Sequence, residues 1–346
     1  MDGTMRTALW YGSEDVRIEQ RPIPEVDDDS VLIKTMVSLT CGTDVKTFFR
    51  GHPRIPVGGN FGHEVSGVVV KVGKNVTKFK VGDRIATHNT APCGSCYWCK
   101  TGRNDGSCEH KSVIVGGHSE YVLIPGQIVK INAFHLPDDV SFKAGALLEP
   151  LSCAVYGAES TRCSAGDTVV ILGAGPIGLM IAMLLKRKGM HIIQADYAAP
   201  RLEIAKKLGV DEVLDLNTVD DDVAALRAMT PEGRGADATV DATGQPSAWE
   251  NCIGIVRKGG FVNLFGGCKG GSKITIDTTR MHYDGLTIAG FYHTTPNCVR
   301  MAFDMICRHE IPEDILITGE YPFDRFDAAI RAHASQSGIK SALLYE

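Results

Sequence analysis

The sequence predicts an α/β chain with a second, all-β part: a β-barrel-like module and a doubly wound parallel sheet. Three observations predict it. From Val31 to about Ile131 short β-type runs are broken by glycine and aspartate, whereas beyond residue 150 strands alternate with helix-period segments. A glycine-rich turn, Gly173-Ala174-Gly175-Pro176-Ile177-Gly178, stands where a strand gives way to a helix. Four cysteines, Cys93, Cys96, Cys99 and Cys108, fall within sixteen residues.

In the first part, Val31–Ile33, Val65–Val70, Val81–Ile85 and Tyr121–Ile124 read as strands. Turn signals separate them at Val72-Gly73-Lys74-Asn75 and Val81-Gly82-Asp83. Thr168–Leu172 then reads as a buried strand, followed by an apolar helix from about Pro176 to Lys188 that Gly189 stops. His191–Ala195 is a second strand ending in Asp196. Pro200 suits a first helical turn, and Leu202, Ala205 and Leu208 share one face until Gly209. Glu212–Leu214, Ala238–Asp241, Phe261–Phe265 and Leu286–Ala289 are further short strands.

The chain has 346 residues, enough for two domains and a large core. With 36 basic against 41 acidic residues its net charge is −5, which argues against nucleic acid and against an anionic membrane surface as partners. Met1 to Tyr11 lacks the basic start and apolar core of an export signal. The longest uncharged apolar run, Val169 to Leu185, has seventeen residues; a bilayer needs roughly 20. Eleven cysteines without an export signal imply a reducing, cytoplasmic setting and favour metal ligation over disulfides. Cys153, Cys163, Cys252, Cys268, Cys298 and Cys307 are scattered and read as small buried hydrophobes.

The glycine turn has the context of a dinucleotide site. Gly173 permits the tight turn, Gly175 lets a pyrophosphate approach the backbone, and Gly178 lets helix and strand pack closely. Pro176 and Ile177 open the helix, whose N-terminus favours an anion. Asp196 ends the next strand at the distance expected of a ribose-binding acid. A carboxylate there accepts a 2′-OH and repels a 2′-phosphate, so NAD is favoured over NADP. Arg201 lies near enough to meet a phosphate, but an exposed helix face is its expected place.

Cys93, Cys96 and Cys99 are separated by two residues each and Cys108 follows after eight more, a spacing that lets one loop wrap a tetrahedral ion. Positions 102 and 103 are Gly and Arg, so zinc is preferred to an iron–sulfur cluster; His110 is a spare candidate ligand. A second set of donors is mixed: Cys41 in Cys41-Gly42-Thr43-Asp44, and His63-Glu64 about twenty residues on. Together these hold zinc with a position open for water or substrate. Asp44 either orients a ligand histidine or caps a turn or helix.

On these motifs, with Val81-Gly82-Asp83-Arg84 and Leu148-Glu149-Pro150-Leu151, the chain resembles the zinc-dependent medium-chain dehydrogenase/reductases, nearest the sorbitol and threonine dehydrogenase branch. The resemblance implies a GroES-like β-barrel catalytic domain over residues 1–152 with a zinc lobe at about 91–110, an inserted Rossmann domain over 153–289, and a return to the catalytic domain over 290–346. It places the active site between the two domains. It makes Cys41 and His63 catalytic zinc ligands, Glu64 a ligand or water-linked neighbour, and Glu149 an acid that approaches the metal. Cys93, Cys96, Cys99 and Cys108 then hold a structural zinc, two ions per chain in all. Thr43 receives the substrate proton. Two departures stand out. The family usually has seven residues between the third and fourth lobe cysteines, against eight here around Arg103–Gly106. The Asp-Val-His of this branch is Asp44-Val45-Lys46.

The expected reaction is NAD-linked oxidation of a secondary alcohol on a polyol or similar small molecule. An amino alcohol, carbonyl reduction with NADPH and a non-enzymatic dinucleotide sensor are the alternatives. Phe48, Phe49, His52, Tyr292 and His293 are candidates to line the substrate pocket or, equally, to pack in the core or on loops. The resemblance also implies a homo-oligomer, with a tetramer favoured over a dimer.

Overall fold

The computed structural model describes residues 3–53, 55–103 and 106–346. The chain divides into two compact units, Met1–Ser152 with Thr295–Glu346, and Cys153–Thr294.

The first unit is built on a seven-stranded sheet. Its central strand, Val31–Leu39, pairs antiparallel with Glu64–Val72 on one side and with the C-terminal strand Lys340–Leu344 on the other. Val31, Ile33, Val65, Val69, Ile85, Val122 and Ile124 are buried together at its core. In the register, Leu39 stands opposite both Glu64 and Ala342. The end of the central strand, just before Cys41, is therefore flanked by Glu64 and Lys340, residues far apart in sequence.

This unit is not purely β. Helix Gly42–Arg50 follows the central strand, with Cys41 as its N-cap. The Cys41 N–H donates to Asp44 Oδ2 at 2.9 Å and the Thr43 N–H to Cys41 Sγ at 3.4 Å, a reciprocal cap that starts the helix at the candidate ligand. The expected strand Val81–Ile85 begins only at Arg84. Gly82 has φ +94 and Asp83 Oδ2 accepts the Lys80 N–H at 2.8 Å, so Val81 to Asp83 form a turn, the other expectation for that segment.

The second unit holds a six-stranded parallel sheet. Numbered within the unit its strand order is 3-2-1-4-5-6, from Glu212–Asp215 through His191–Asp196, Thr168–Leu172, Ala236–Asp241 and Val256–Leu264 to Thr287–Gly290. The apolar run from Val169 splits into strand Thr168–Leu172 and helix Pro176–Arg187. Among the described residues no helix is long and apolar enough to cross a membrane. Of the six scattered cysteines, expected as buried hydrophobes, only Cys252 and Cys298 are buried; Cys163 and Cys268 lie in loops, Cys307 ends a helix and Cys153 lies within helix Leu148–Ser160, and these four are half-buried.

Candidate active site

The first unit brings Cys41, His63 and Glu64 together, with one ligand atom from each lying within 4.8 Å of the others. Cys41 is held by the helix cap, and Glu64 opens the strand beside it. His63 Nδ1 is 3.9 Å from Asp44 Oδ1, an ion-pair distance longer than a hydrogen bond. Glu149 stands in the first turn of helix Leu148–Ser160, with Oε1 3.8 Å from Nε2 of the buried His88.

Several ionisable groups are buried together in this region. Asp44, Glu64 and Glu149 are 1 %, 0 % and 7 % exposed. Lys340, the one buried lysine among the described residues, is already committed: its Nζ donates to the Thr40 carbonyl at 2.9 Å and to both Glu64 oxygens at 2.7 and 2.6 Å. Three donors meet three acceptors, the geometry of a satisfied ion pair. Burial pushes Lys340 down, but Glu64 and Cys41 outweigh it and raise the ammonium above its ordinary value. Burial raises Glu64, against the pull of Lys340. Burial also disfavours charge on His63, yet Cys41, Asp44 and Glu149 draw its imidazole well above the ordinary histidine value. Burial together with Glu64 lifts Glu149 to about 7. Burial works against ionised Asp44 too, but His118 and His63 hold its carboxyl down at about 2. The site offers a sulfur, an imidazole and a carboxylate whose ligand atoms converge within 4.8 Å, with Glu149 and Asp44 buried in the same unit, so the donor set fits a divalent ion of zinc's type.

The four lobe cysteines also converge, with all sulfurs within 4.8 Å of one another. Cys96 Sγ lies 3.6 Å from Cys99 Sγ and 4.0 Å from Cys108 Sγ. A tetrahedron of zinc–sulfur bonds has edges of about 3.8 Å, so the cage fits zinc without rearrangement. The Cys93 N–H points at Cys108 Sγ at 3.2 Å, and the Ser95 hydroxyl and nearby backbone N–H groups hold the Cys93 thiol down at about 5. Cys108 thus joins the cage despite the longer spacing; Asn104 and Asp105 of that insertion lie outside the described residues. His110 is exposed and apart from the cluster.

In the second unit the glycine turn has the geometry its pattern predicted. Gly173 has φ +104 and its N–H donates to the Ala195 carbonyl at 2.8 Å. A Cβ on Gly178 would strike the Gly173 carbonyl oxygen, whereas one on Gly175 would meet nothing within 4 Å. Gly175 therefore faces open space at the N-terminus of helix Pro176–Arg187, where Pro176 and Ile177 form the first turn, and that space fits a pyrophosphate. Asp196 reaches back to the turn, accepting the Ala174 N–H at 2.5 Å on Oδ2 and the Ala198 N–H at 2.8 Å on Oδ1. Arg201 corrects an expectation: it is buried, not on an exposed face. Helix Ala199–Lys207 turns it inward, where burial lowers its pKa and the Asp196 charge opposes the shift.

Other candidates separate. Thr43 and Lys46 are exposed on helix Gly42–Arg50. Phe48 is fully buried with Phe61, Phe323 and Phe326, so it is a core residue and not a pocket wall. Phe49 and Tyr292 are exposed, and His52 and His293 half-buried. The sequence reading missed Lys340, His88 and His118. His118 follows the paired glycines Gly116-Gly117, a visible sign of close backbone packing; Lys340 carried no local signal.

Comparison with known proteins agrees with both units. The family model of the alcohol dehydrogenase GroES-like domain matches residues 27–133, and that of the zinc-binding dehydrogenases matches residues 176–308. D-arabitol-phosphate dehydrogenase of Enterococcus avium is 33% identical over 92% of each chain. Sorbitol dehydrogenase of Bombyx mori is 31% identical over 96% of each. The crystal structure of a zinc-binding dehydrogenase of Sinorhizobium meliloti 1021 bound to NADP superposes with TM-score 0.88 at 26% identity, covering 99% of this chain and 100% of that one. The chain therefore belongs to the zinc-dependent medium-chain alcohol and polyol dehydrogenases, oxidoreductases that use zinc and a nicotinamide dinucleotide.

Proposed function

We propose that this enzyme oxidises a secondary alcohol of a polyol or similar small hydroxylated molecule to the ketone, with NAD as acceptor and two zinc ions per chain. The observation that carries the reading is the convergence of Cys41, His63 and Glu64, whose ligand atoms lie within 4.8 Å of one another. Sorbitol and arabitol-phosphate dehydrogenases among the relatives support the substrate class. When bound, zinc supplies polarisation of the substrate hydroxyl and the nicotinamide accepts the hydride.

The chain's own residues hold and orient. Cys41 and His63 are the ligands, and Glu149, held near neutrality by burial, is the carboxyl that approaches the ion. Glu64, tied to Lys340 through both oxygens, acts as the charged neighbour of the ligands. The Thr43 hydroxyl takes the proton from the substrate hydroxyl and passes it outward. Gly173, Gly175, Pro176, Ile177 and Gly178 seat the pyrophosphate, and Asp196 with Arg201 beside it receives the adenosine ribose. Cys93, Cys96, Cys99 and Cys108 hold the structural ion. The working form is a homo-oligomer, with a tetramer expected by sedimentation.

The test is metal content per chain beside NAD-dependent turnover on polyols, their phosphates, diols and amino alcohols. Two zincs, falling to one with loss of turnover on Cys41→Ala, is the expected result. A single zinc in the wild type with no turnover on any substrate sinks the reading.

A further inference from the structure

Beneath the Cys41–His63 site runs a chain of buried hydrogen bonds that the reaction as described does not use. The Tyr345 hydroxyl is 3.0 Å from Ser38 Oγ, Ser38 Oγ is 2.9 Å from His118 Nδ1, and His118 Nε2 is 3.2 Å from Asp44 Oδ2. Ser38 and His118 are 0 % exposed, Asp44 1 % and Tyr345 7 %. Burial raises the Tyr345 phenol far above its usual range, so it keeps its proton. A carboxylate only accepts, so His118 Nε2–H donates to Asp44, and Ser38 links the other ring nitrogen to the Tyr345 hydroxyl. The other oxygen of that carboxylate faces His63 Nδ1.

His118 is itself held on every side. Its N–H donates to the Phe61 carbonyl at 3.0 Å, and the Gly117 N–H to the Gly62 carbonyl at 2.8 Å, so its segment runs against the residues that lead into His63. Gly62 has φ +93, and a Cβ there would come within 2.5 Å of the His118 ring; a Cβ on Gly117 would come within 2.8 Å of the His63 nitrogen. Phe61 and Phe326 meet the imidazole edge to face at 5.6 and 5.1 Å. Glycine at 62 and at 117 is thus what lets this ring reach Asp44.

We propose that His118 is a positioning residue for the metal site: its hydrogen bond fixes the Asp44 carboxylate, which sets the orientation of the His63 imidazole toward a bound ion. The inference rests on the catalytic-zinc reading above.

Zinc release from the holoenzyme to a chromophoric chelator reads it directly. The wild type should release zinc in two phases, and the phase missing from Cys41→Ala belongs to the Cys41 site. In His118→Phe, which keeps a ring and loses both nitrogens, that phase should quicken by roughly tenfold or more while the four-cysteine phase stays unchanged. His118→Gln, which retains an N–H near the Nε2 position, should restore most of the wild-type rate, and kcat should fall in His118→Phe with KM for NAD unmoved. An unchanged Cys41-dependent phase overturns the proposal. So does equal acceleration of both phases, which marks a general loosening of the fold. If His118→Phe does not fold, Ser38→Ala removes the bond behind the ring and must quicken the same phase selectively, or the proposal fails. A wild type without any Cys41-dependent zinc removes the catalytic-zinc reading first, and is distinguished by that absence.

Discussion

Lys340 shows how much one buried side chain can carry. Its ammonium satisfies Glu64 and the Thr40 carbonyl at the point where the central strand ends and the ligand segment begins. Removing one partner of such a pair leaves a buried charge uncompensated, which costs about 3–5 kcal/mol. Lys340→Ala should lose that amount in urea unfolding, and the double change Lys340→Met with Glu64→Gln should recover most of it. An equal loss in the double variant would show that the pair is not the source. Asp196 makes a different prediction, because on the proposed reading its carboxylate receives the adenosine ribose and repels a 2′-phosphate. Asp196→Ala should raise kcat/KM for NADP relative to NAD by about tenfold or more, the worth of roughly one charged hydrogen bond. An unchanged ratio would assign the preference elsewhere. Both effects concern charge in a confined place, where single atoms decide the sign.

Within an element, position decides what a residue is for. Gly175 and Gly178 open the same helix yet answer to different neighbours. A Cβ on Gly178 collides with the Gly173 carbonyl, so Gly178→Ala should cost about 1–3 kcal/mol of stability as helix and strand part. A Cβ on Gly175 meets only open space. Gly175→Ala should therefore leave the melting temperature nearly unchanged while weakening NADH binding in a fluorescence titration. A matched loss of stability in both variants would falsify the distinction. Helix Gly42–Arg50 teaches the same lesson. Cys41 and Asp44 form its cap, so the segment read as a ligand motif is also a helix start, and the cap gives Cys41 a defined backbone. The strand expected from Val81 failed at its first residues because Gly82 needs a positive φ that a strand does not provide.

At the scale of the molecule the two compact units should respond to different ligands. Zinc is bound in the first unit on the reading above, and the dinucleotide fold is the second. Calorimetry should show NADH raising the stability of the transition that belongs to Cys153–Thr294, by about 2.7 kcal/mol at a hundredfold excess over its Kd, and chelation lowering the other. A single transition that moves as one with both ligands would contradict this. How much of all this was legible beforehand follows from the range of each interaction. Strands Thr168–Leu172 and His191–Asp196, the glycine turn and the four-cysteine cage are written in neighbouring residues: hydrophobic period, turn chemistry and ligand spacing act over a few positions. They could be read directly from the chain. Lys340 beside Glu64, His118 behind Asp44, Phe48 in the core and the inward turn of Arg201 depend on sheet register and on which helix face meets the sheet. The sequence alone determined the local geometry and the chemical kinds of its sites. Only the tertiary structure decided which distant charges share a buried place, because desolvation makes their pairing a property of the packed fold and not of the segments that supply them.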